Sequence, residues 1–109
     1  MGKGDQYEDQ VAEMLLAKGY TLLTRRFRAR GGEIDIVALD GETLVFVEVK
    51  YRASGHPETA VGSTKIARCA AAAEAYLQKT GEHRRHTRFD LVAITEGEVR
   101  HYPGAFRAP

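Results

Sequence analysis

Two runs in the middle of the chain, EIDIVAL (33–39) and TLVFVEVKYR (43–52), are dense in β-branched and aromatic residues and flank Asp40-Gly41-Glu42. That is the pattern of a β-hairpin. Valines and isoleucines occupy both phases of the alternation, so neither face of the hairpin suits water. A sheet with helices packed on each side meets that requirement better than a pure β-sandwich does.

The flanking segments supply the helices. After Asp5, an expected N-cap, Tyr7, Val11, Met14, Leu15 and Lys18 recur at helical spacing and Gly19 stops them, which predicts a helix over about residues 5–18. YTLLTRRFRARG alternates loosely between apolar and basic residues and ends at Gly31-Gly32, an edge strand. Residues 53–63, ASGHPETAVGS, read as a long exposed loop of the kind that serves as a lid. From Thr64 an alanine-rich helix carries Ile66, Ala70, Ala73 and Leu77 on one stripe, with Lys65 and Arg68 beside it. A basic loop, GEHRRHT, leads to the strand RFDLVAIT, and Glu96-Gly97 turns into a last strand near EVRHY. The order α-β-β-β-α-β-β implies a mixed α/β sheet with its two helices on opposite faces.

Length and charge narrow the function classes. A chain of 109 residues, 43% of them hydrophobic, closes one core, so residues 1–109 are expected to form a single domain. Sixteen Lys+Arg against fifteen Asp+Glu exclude a strongly basic nucleic-acid coat and an acidic tail alike, and any basic surface must be local. No apolar stretch suits a membrane span, and MGKGDQYEDQ carries charges where a signal peptide needs apolar residues. One cysteine, Cys69, permits no internal disulfide or cysteine-based zinc site, which suits a reducing cytoplasm.

Chemistry concentrates in the hairpin. Alternate residues of a strand share a face, so Glu48 and Lys50 are neighbours. With the turn centred on Gly41-Glu42, residues whose numbers sum to 83 stand opposite and Asp35 faces Glu48. A turn centred on Asp40-Gly41 leaves the two acids diagonal but on the same face. Paired carboxylates in a half-buried sheet repel each other and lose hydration unless a proton or cation joins them. Mg²⁺ takes oxygen ligands and is commonly held by one or two carboxylates together with phosphate oxygens. Beside a metal-bound water, the Lys50 ammonium can orient the nucleophile or balance developing charge. Glu8 borders the buried stripe of the first helix, with Val11, Ala12 and Leu15 three, four and seven residues beyond it. It could turn toward the hairpin, although an isolated helix glutamate is ordinarily solvated.

Asp35 followed by Glu48-Val49-Lys50 on the next strand resembles the active-site motif of the PD-(D/E)xK nuclease superfamily. The stretches GGEIDIVALDGETLVFVEVKYR, RFDLVAI and HYPGAF, spread over almost the whole chain, resemble the YraN-type family of small bacterial proteins. Members of that family are expected endonucleases similar in fold to archaeal Holliday junction resolvases. The resemblance implies a restriction-endonuclease-like three-layer fold. By position it makes Glu8, Asp35 and Glu48 the acidic site residues and Lys50 the catalytic lysine, with the Val49 carbonyl a further metal ligand. The chain departs from the family pattern at Tyr7 and Arg26, where that pattern tends to have Gly and Asn.

Each feature also has a plainer reading. An E-x-K tripeptide is usually a solvated ion pair; here it is the sole [DE]-x-K and lies in an otherwise apolar strand opposite an aspartate. Arg26, Arg28 and Arg30 with Arg25, then Lys65 and Arg68, then Arg84, Arg85 and Arg88 are candidate phosphate contacts, or else solvated charges guarding sheet edges. Arg52 shares the phase of Lys50 and joins the candidates. Glu33 reads as a strand-edge residue, His83 and His86 as solvated loop residues, Cys69 as a packing residue and Asp90 as structural. The expectation is an endonuclease hydrolysing phosphodiester bonds in DNA with Mg²⁺ or Mn²⁺, branched or junction DNA included, and acting as a homodimer. The alternative is a non-catalytic nucleic-acid-binding module of a repair, recombination or uptake assembly.

Overall fold

The computed structural model describes residues 3–52, 61–95 and 97–109, with side chains from residue 6 onward. The order of elements is α1 (Lys3–Ala17), β1 (Thr21–Ala29), β2 (Gly32–Asp40), β3 (Thr43–Arg52), α2 (Ser63–Thr80), β4 (Thr87–Thr95) and β5 (Glu98–Phe106). One five-stranded sheet is ordered β1-β2-β3-β4-β5. Neighbours are antiparallel except β3 and β4, which run parallel because α2 carries the chain back across the sheet. Among the described residues no helix is long and apolar enough to cross a membrane.

The hydrophobic pattern of the hairpin is used on both faces, as the sequence predicts. On one face Ile36, Ala38, Val45 and Val47 pack with Val11, Ala12 and Leu15 of α1. On the other, Val37, Leu44 and Phe46 pack with Cys69, Ala72, Ala73 and Tyr76 of α2. The buried stripe of α2 is thus Cys69, Ala72, Ala73 and Tyr76; of the expected stripe Ala73 belongs to it and Leu77 packs, partly buried, against it. The difference follows from composition: in an alanine-rich helix several faces are apolar enough to pack, and the phase is decided by the sheet. The helix ends at Gly81, whose φ of 75° lets its N–H turn back to the Leu77 carbonyl.

Other boundaries shift slightly. Helix α1 starts at Lys3, so Asp5 lies in its first turn and is not the cap; an aspartate suits the positive end of a helix in either position. The expected loop 53–63 and the Glu96 turn residue lie outside the described residues, apart from Val61, Gly62 and Ser63, the last of which opens α2. Gly32 begins β2 and does not end β1. A Cβ added there would stand 1.8 Å from the Arg68 carbonyl oxygen, so helix and strand touch at a position only glycine can fill.

A buried polar network pins the far edge of the sheet. Asp90, fully buried in β4, accepts from Arg88 Nε at 2.8 Å, Arg88 Nη2 at 3.0 Å, His101 Nε2 at 2.8 Å and the Gly104 N–H at 2.9 Å. Lys18 Nζ donates to His101 Nδ1 at 2.9 Å, and Arg88 also reaches Asp40 and the Tyr20 hydroxyl. The network ties β5 and the chain leaving α1 to β4. Arg88 is therefore a structural cation and not a phosphate contact, whereas Asp90 is structural as expected.

Candidate active site

The site forms where β2 parts from β3. Their pairing runs from Asp40↔Thr43 to Ile36↔Val47, the register in which paired numbers sum to 83, and stops there. Below that point the alternation of β2 breaks, since Ile34 packs on the α2 face although Ile36 packs on the α1 face. Divergence would leave the Val49 N–H without a ladder partner, a costly loss in a half-buried strand. The side chain of Asp35 replaces that partner, its Oδ2 accepting from Val49 N at 2.8 Å. Across β1 the same irregularity appears: Arg25 pairs with Ile36 and Phe27 with Ile34, while the intervening Arg26 adopts a φ of 53°. Left-handed backbone is uncommon for arginine and favourable for asparagine.

Asp35 and Glu48 meet as the hairpin pattern predicts. Glu48 is 3% exposed, and its carboxyl shares a hydrogen bond with Asp35. Burial, reinforced by the Asp35 carboxylate, pushes its pKa up to about 8. Helix α2 grips the same group from above. Cys69 Sγ donates to Glu48 Oε2 at 3.0 Å, and Lys65 Nζ stands 3.4 Å from Oε1. Lysine and cysteine lie four residues apart on one face of the helix. Burial keeps Cys69 a neutral thiol by raising its pKa. Burial also opposes the charge on Lys65, but Glu48 and Asp35 more than offset this and hold it as an ammonium.

Two hollows open on this pair. One, of about 260 Å³, is lined by Glu48, Val49, Lys50, Val61, Gly62, Lys65 and Leu91. The other, of about 130 Å³, is lined by Tyr7, Glu8, Asp35, Val49 and Tyr51. They flank Val49 near the carboxyl ends of parallel β3 and β4, where open α/β sheets commonly bind ligands. Glu8 is buried, and its pKa is raised by that burial and by the charge of Asp35. Arg25 Nε stands 3.4 Å from its Oε1 and Arg26 Nε 3.4 Å from its Oε2. Among the described residues no three His, Cys, Asp or Glu side chains are gathered as a ready cation cage. Asp35 and Glu48 are joined, and Glu8 faces Asp35 across the smaller hollow.

The donor chemistry nonetheless fits a hard divalent ion. Oε1 of Glu8 and Oε1 of Glu48 are both buried without a hydrogen-bond partner, oxygens of the kind a hard cation satisfies. Asp35, Glu48 and the neighbouring Val49 carbonyl would hold such an ion, with Glu8 across the smaller hollow.

The expected phosphate contacts separate. Lys50 and Lys65 line one hollow, although Lys65 is also the counter-ion of Glu48. Arg26 is engaged with Glu8, and Arg28 with Glu33 at 3.3 Å on the exposed edge. Arg30 and Arg68 are exposed, and Arg52 is half-buried at the end of β3. Sequence reasoning missed the contact of Cys69 with Glu48. Its spacing of four from Lys65 marks a shared face but not what that face meets. It also missed the stacked rings of Tyr7 and Tyr51, which depend on where α1 begins relative to β3.

A model of the family described as "Uncharacterised protein family UPF0102" matches residues 7–94. A UPF0102 protein of Persephonella marina is 38% identical over 107 residues, covering 95% of this chain and 92% of that protein. One of Geobacter metallireducens is 44% identical over 110 residues, covering 94% and 90%. Among solved structures, Hjc, a Holliday junction resolvase of the archaeal hyperthermophile Archaeoglobus fulgidus, aligns with a TM-score of 0.62 and 19% identity. The alignment covers 94% of this chain and 73% of that one. At that identity the likeness concerns the fold, and it agrees with the restriction-endonuclease-like architecture expected from the sequence.

Proposed function

Because the chain belongs to the UPF0102 family and shares its fold with a Holliday junction resolvase, we propose that it hydrolyses phosphodiester bonds in DNA with Mg²⁺ or Mn²⁺. The observation that carries this reading is the Asp35–Glu48 pair, two acids brought together in a buried site beside a carboxylate oxygen that lacks a hydrogen-bond partner. Asp35, Glu48 and the Val49 carbonyl would hold the ion, with Glu8 opposite. When bound, the ion would act as Lewis acid toward the phosphate and lower the pKa of its water. Asp35, fixed by Val49, presents its second oxygen in a set direction. Lys50, on the phase of Glu48, orients the attacking water and balances charge on the phosphate, while Lys65 fixes the Glu48 carboxylate. Arg52, Arg30 and Arg68 contact the backbone farther out. Cleavage of both strands of a duplex or a branched DNA takes two such sites, which a homodimer supplies. Acting on DNA inside the cell, the protein would work in the cytoplasm.

The test is a calorimetric titration of Mn²⁺ into the wild type, Asp35→Ala and Lys50→Ala, paired with cleavage of single-stranded, duplex and branched DNA in Mg²⁺. Metal binding that needs Asp35 and cleavage that needs both residues supports the nuclease. Metal-independent binding of DNA without cleavage favours the second reading, a non-catalytic nucleic-acid-binding module. That reading has its own support in Glu8, which is neutralised by Arg25 and Arg26 and not gathered with the other two acids.

A further inference from the structure

The smaller hollow has an aromatic wall that the hydrolytic chemistry does not use. Tyr7, in α1, and Tyr51, near the end of β3, stack with ring centroids 4.0 Å apart and planes inclined by 14°. Tyr51 is nevertheless 41% exposed and is, with Leu16 and Leu23, one of the large apolar residues left open to solvent among the described residues. Both rings border the same hollow as Glu8, Asp35 and Val49.

We infer that the Tyr7–Tyr51 stack is a platform for an unpaired nucleobase next to the scissile phosphate, so that the substrate carries an unpaired nucleotide at the cut. The inference rests on the nuclease reading for the position of the phosphate and extends it to the form of the substrate. Alternation along β3 sends Lys50 to one side of the strand and Tyr51 to the other, with Val49 bordering both hollows. A polynucleotide crossing the end of β3 therefore meets Lys50, Lys65 and Glu48 on one side and, on the other, a flat aromatic face beside Asp35 and Glu8. A base is tied to its phosphate by a single sugar, so a phosphate at the acids brings its own or its neighbour's base to the rings. Stacking on tyrosine is available to any base but only once that base has left the helical stack, which a fully paired duplex prevents.

The experiment uses the intact protein in Ca²⁺, with 2-aminopurine at an unpaired position of an oligonucleotide or at a paired position of a duplex. Quenching of the unpaired probe and not the paired one is expected in the wild type. Tyr51→Leu should abolish the quenching and weaken binding of the unpaired probe about tenfold, whereas Tyr51→Phe, which keeps the ring, should retain both. Equal quenching of the two probes, or quenching unchanged in Tyr51→Leu, overturns the platform. Absence of quenching in the wild type does so without any variant. Tyrosine-dependent quenching in a protein that fails to cleave in Mg²⁺ removes the nuclease reading and leaves the platform standing. Cleavage with no dependence on Tyr51 and no quenching removes the platform alone.

Discussion

Cys69 and Glu48 are joined inside the protein: the thiol of α2 donates to Oε2 of the β3 carboxyl at 3.0 Å. A buried carboxyl oxygen deprived of its donor carries an uncompensated desolvation cost. Cys69→Ala should therefore destabilise the fold by about 1–2 kcal/mol, and Cys69→Ser, which keeps a donor, by less. Urea unfolding of the three proteins checks the order. Because the thiol's hydrogen bond lowers the pKa of Glu48, its loss should also move the carboxyl's titration to higher pH.

The raised pKa of Glu48 sets a pH dependence for the cation-free protein. Between the ordinary carboxylate value of 4.5 and about 8, the folded state holds a proton that the unfolded chain has released. The stability this contributes is complete below 4.5 and is lost as pH rises through about 8, at up to about 1.4 kcal/mol per pH unit. Glu48→Gln, which cannot ionise, should flatten that slope and exceed the wild type in stability at pH 9. Urea unfolding in EDTA at pH 5, 7 and 9 measures it; parallel curves for the two proteins would count against a raised Glu48 pKa.

Asp90 predicts the opposite dependence. Burial opposes its charge, but hydrogen bonds from His101, Arg88 and Gly104 outweigh burial and hold its pKa below the ordinary 3.8. Its contribution is present above that value and is lost as pH falls through its lowered pKa. Asp90→Ala leaves Arg88 with Asp40 but takes the acceptor from His101 and the Gly104 N–H, and should cost about 3 kcal/mol at pH 7. Thermal melts at pH 7 and pH 3 should show the difference between variant and wild type shrinking in acid.

At Gly32 the effect should be steric. Gly32→Ala places a carbon against the Arg68 carbonyl and forces α2 away from the sheet, at a cost of about 3 kcal/mol or more. Because Cys69 follows Arg68, the variant should also lose the pH behaviour that Glu48 shows in the wild type. Unfolding curves at pH 5 and pH 9 read both effects.

What the sequence made legible depended on how far each contact reaches along the chain. The hairpin and its register rest on short-range signals, and numbers summing to 83 hold as far as Ile36 and Val47, next to Asp35 and Glu48, where the strands part. The phase of α2 was not legible, because alanines on several sides leave the sheet to choose the buried stripe. For the same reason Cys69 read as packing. The arginine run of β1 looked like one basic surface, yet its acidic partners come from elsewhere: Glu8 from α1 and Glu33 from across the turn. His101 carried no local signal at all, since its partners Asp90 and Lys18 are remote in sequence or on another element.

Asp35, Glu48, Lys50, Lys65 and Cys69 lie within one unbroken span of chain, and α1 brings only Tyr7 and Glu8 to the rim. Tyr7 and Glu8 reach the rim from a separate helix, so a change within α1 alters what the hollow presents to an incoming molecule without touching the contacts that join Asp35, Val49, Glu48, Lys65 and Cys69.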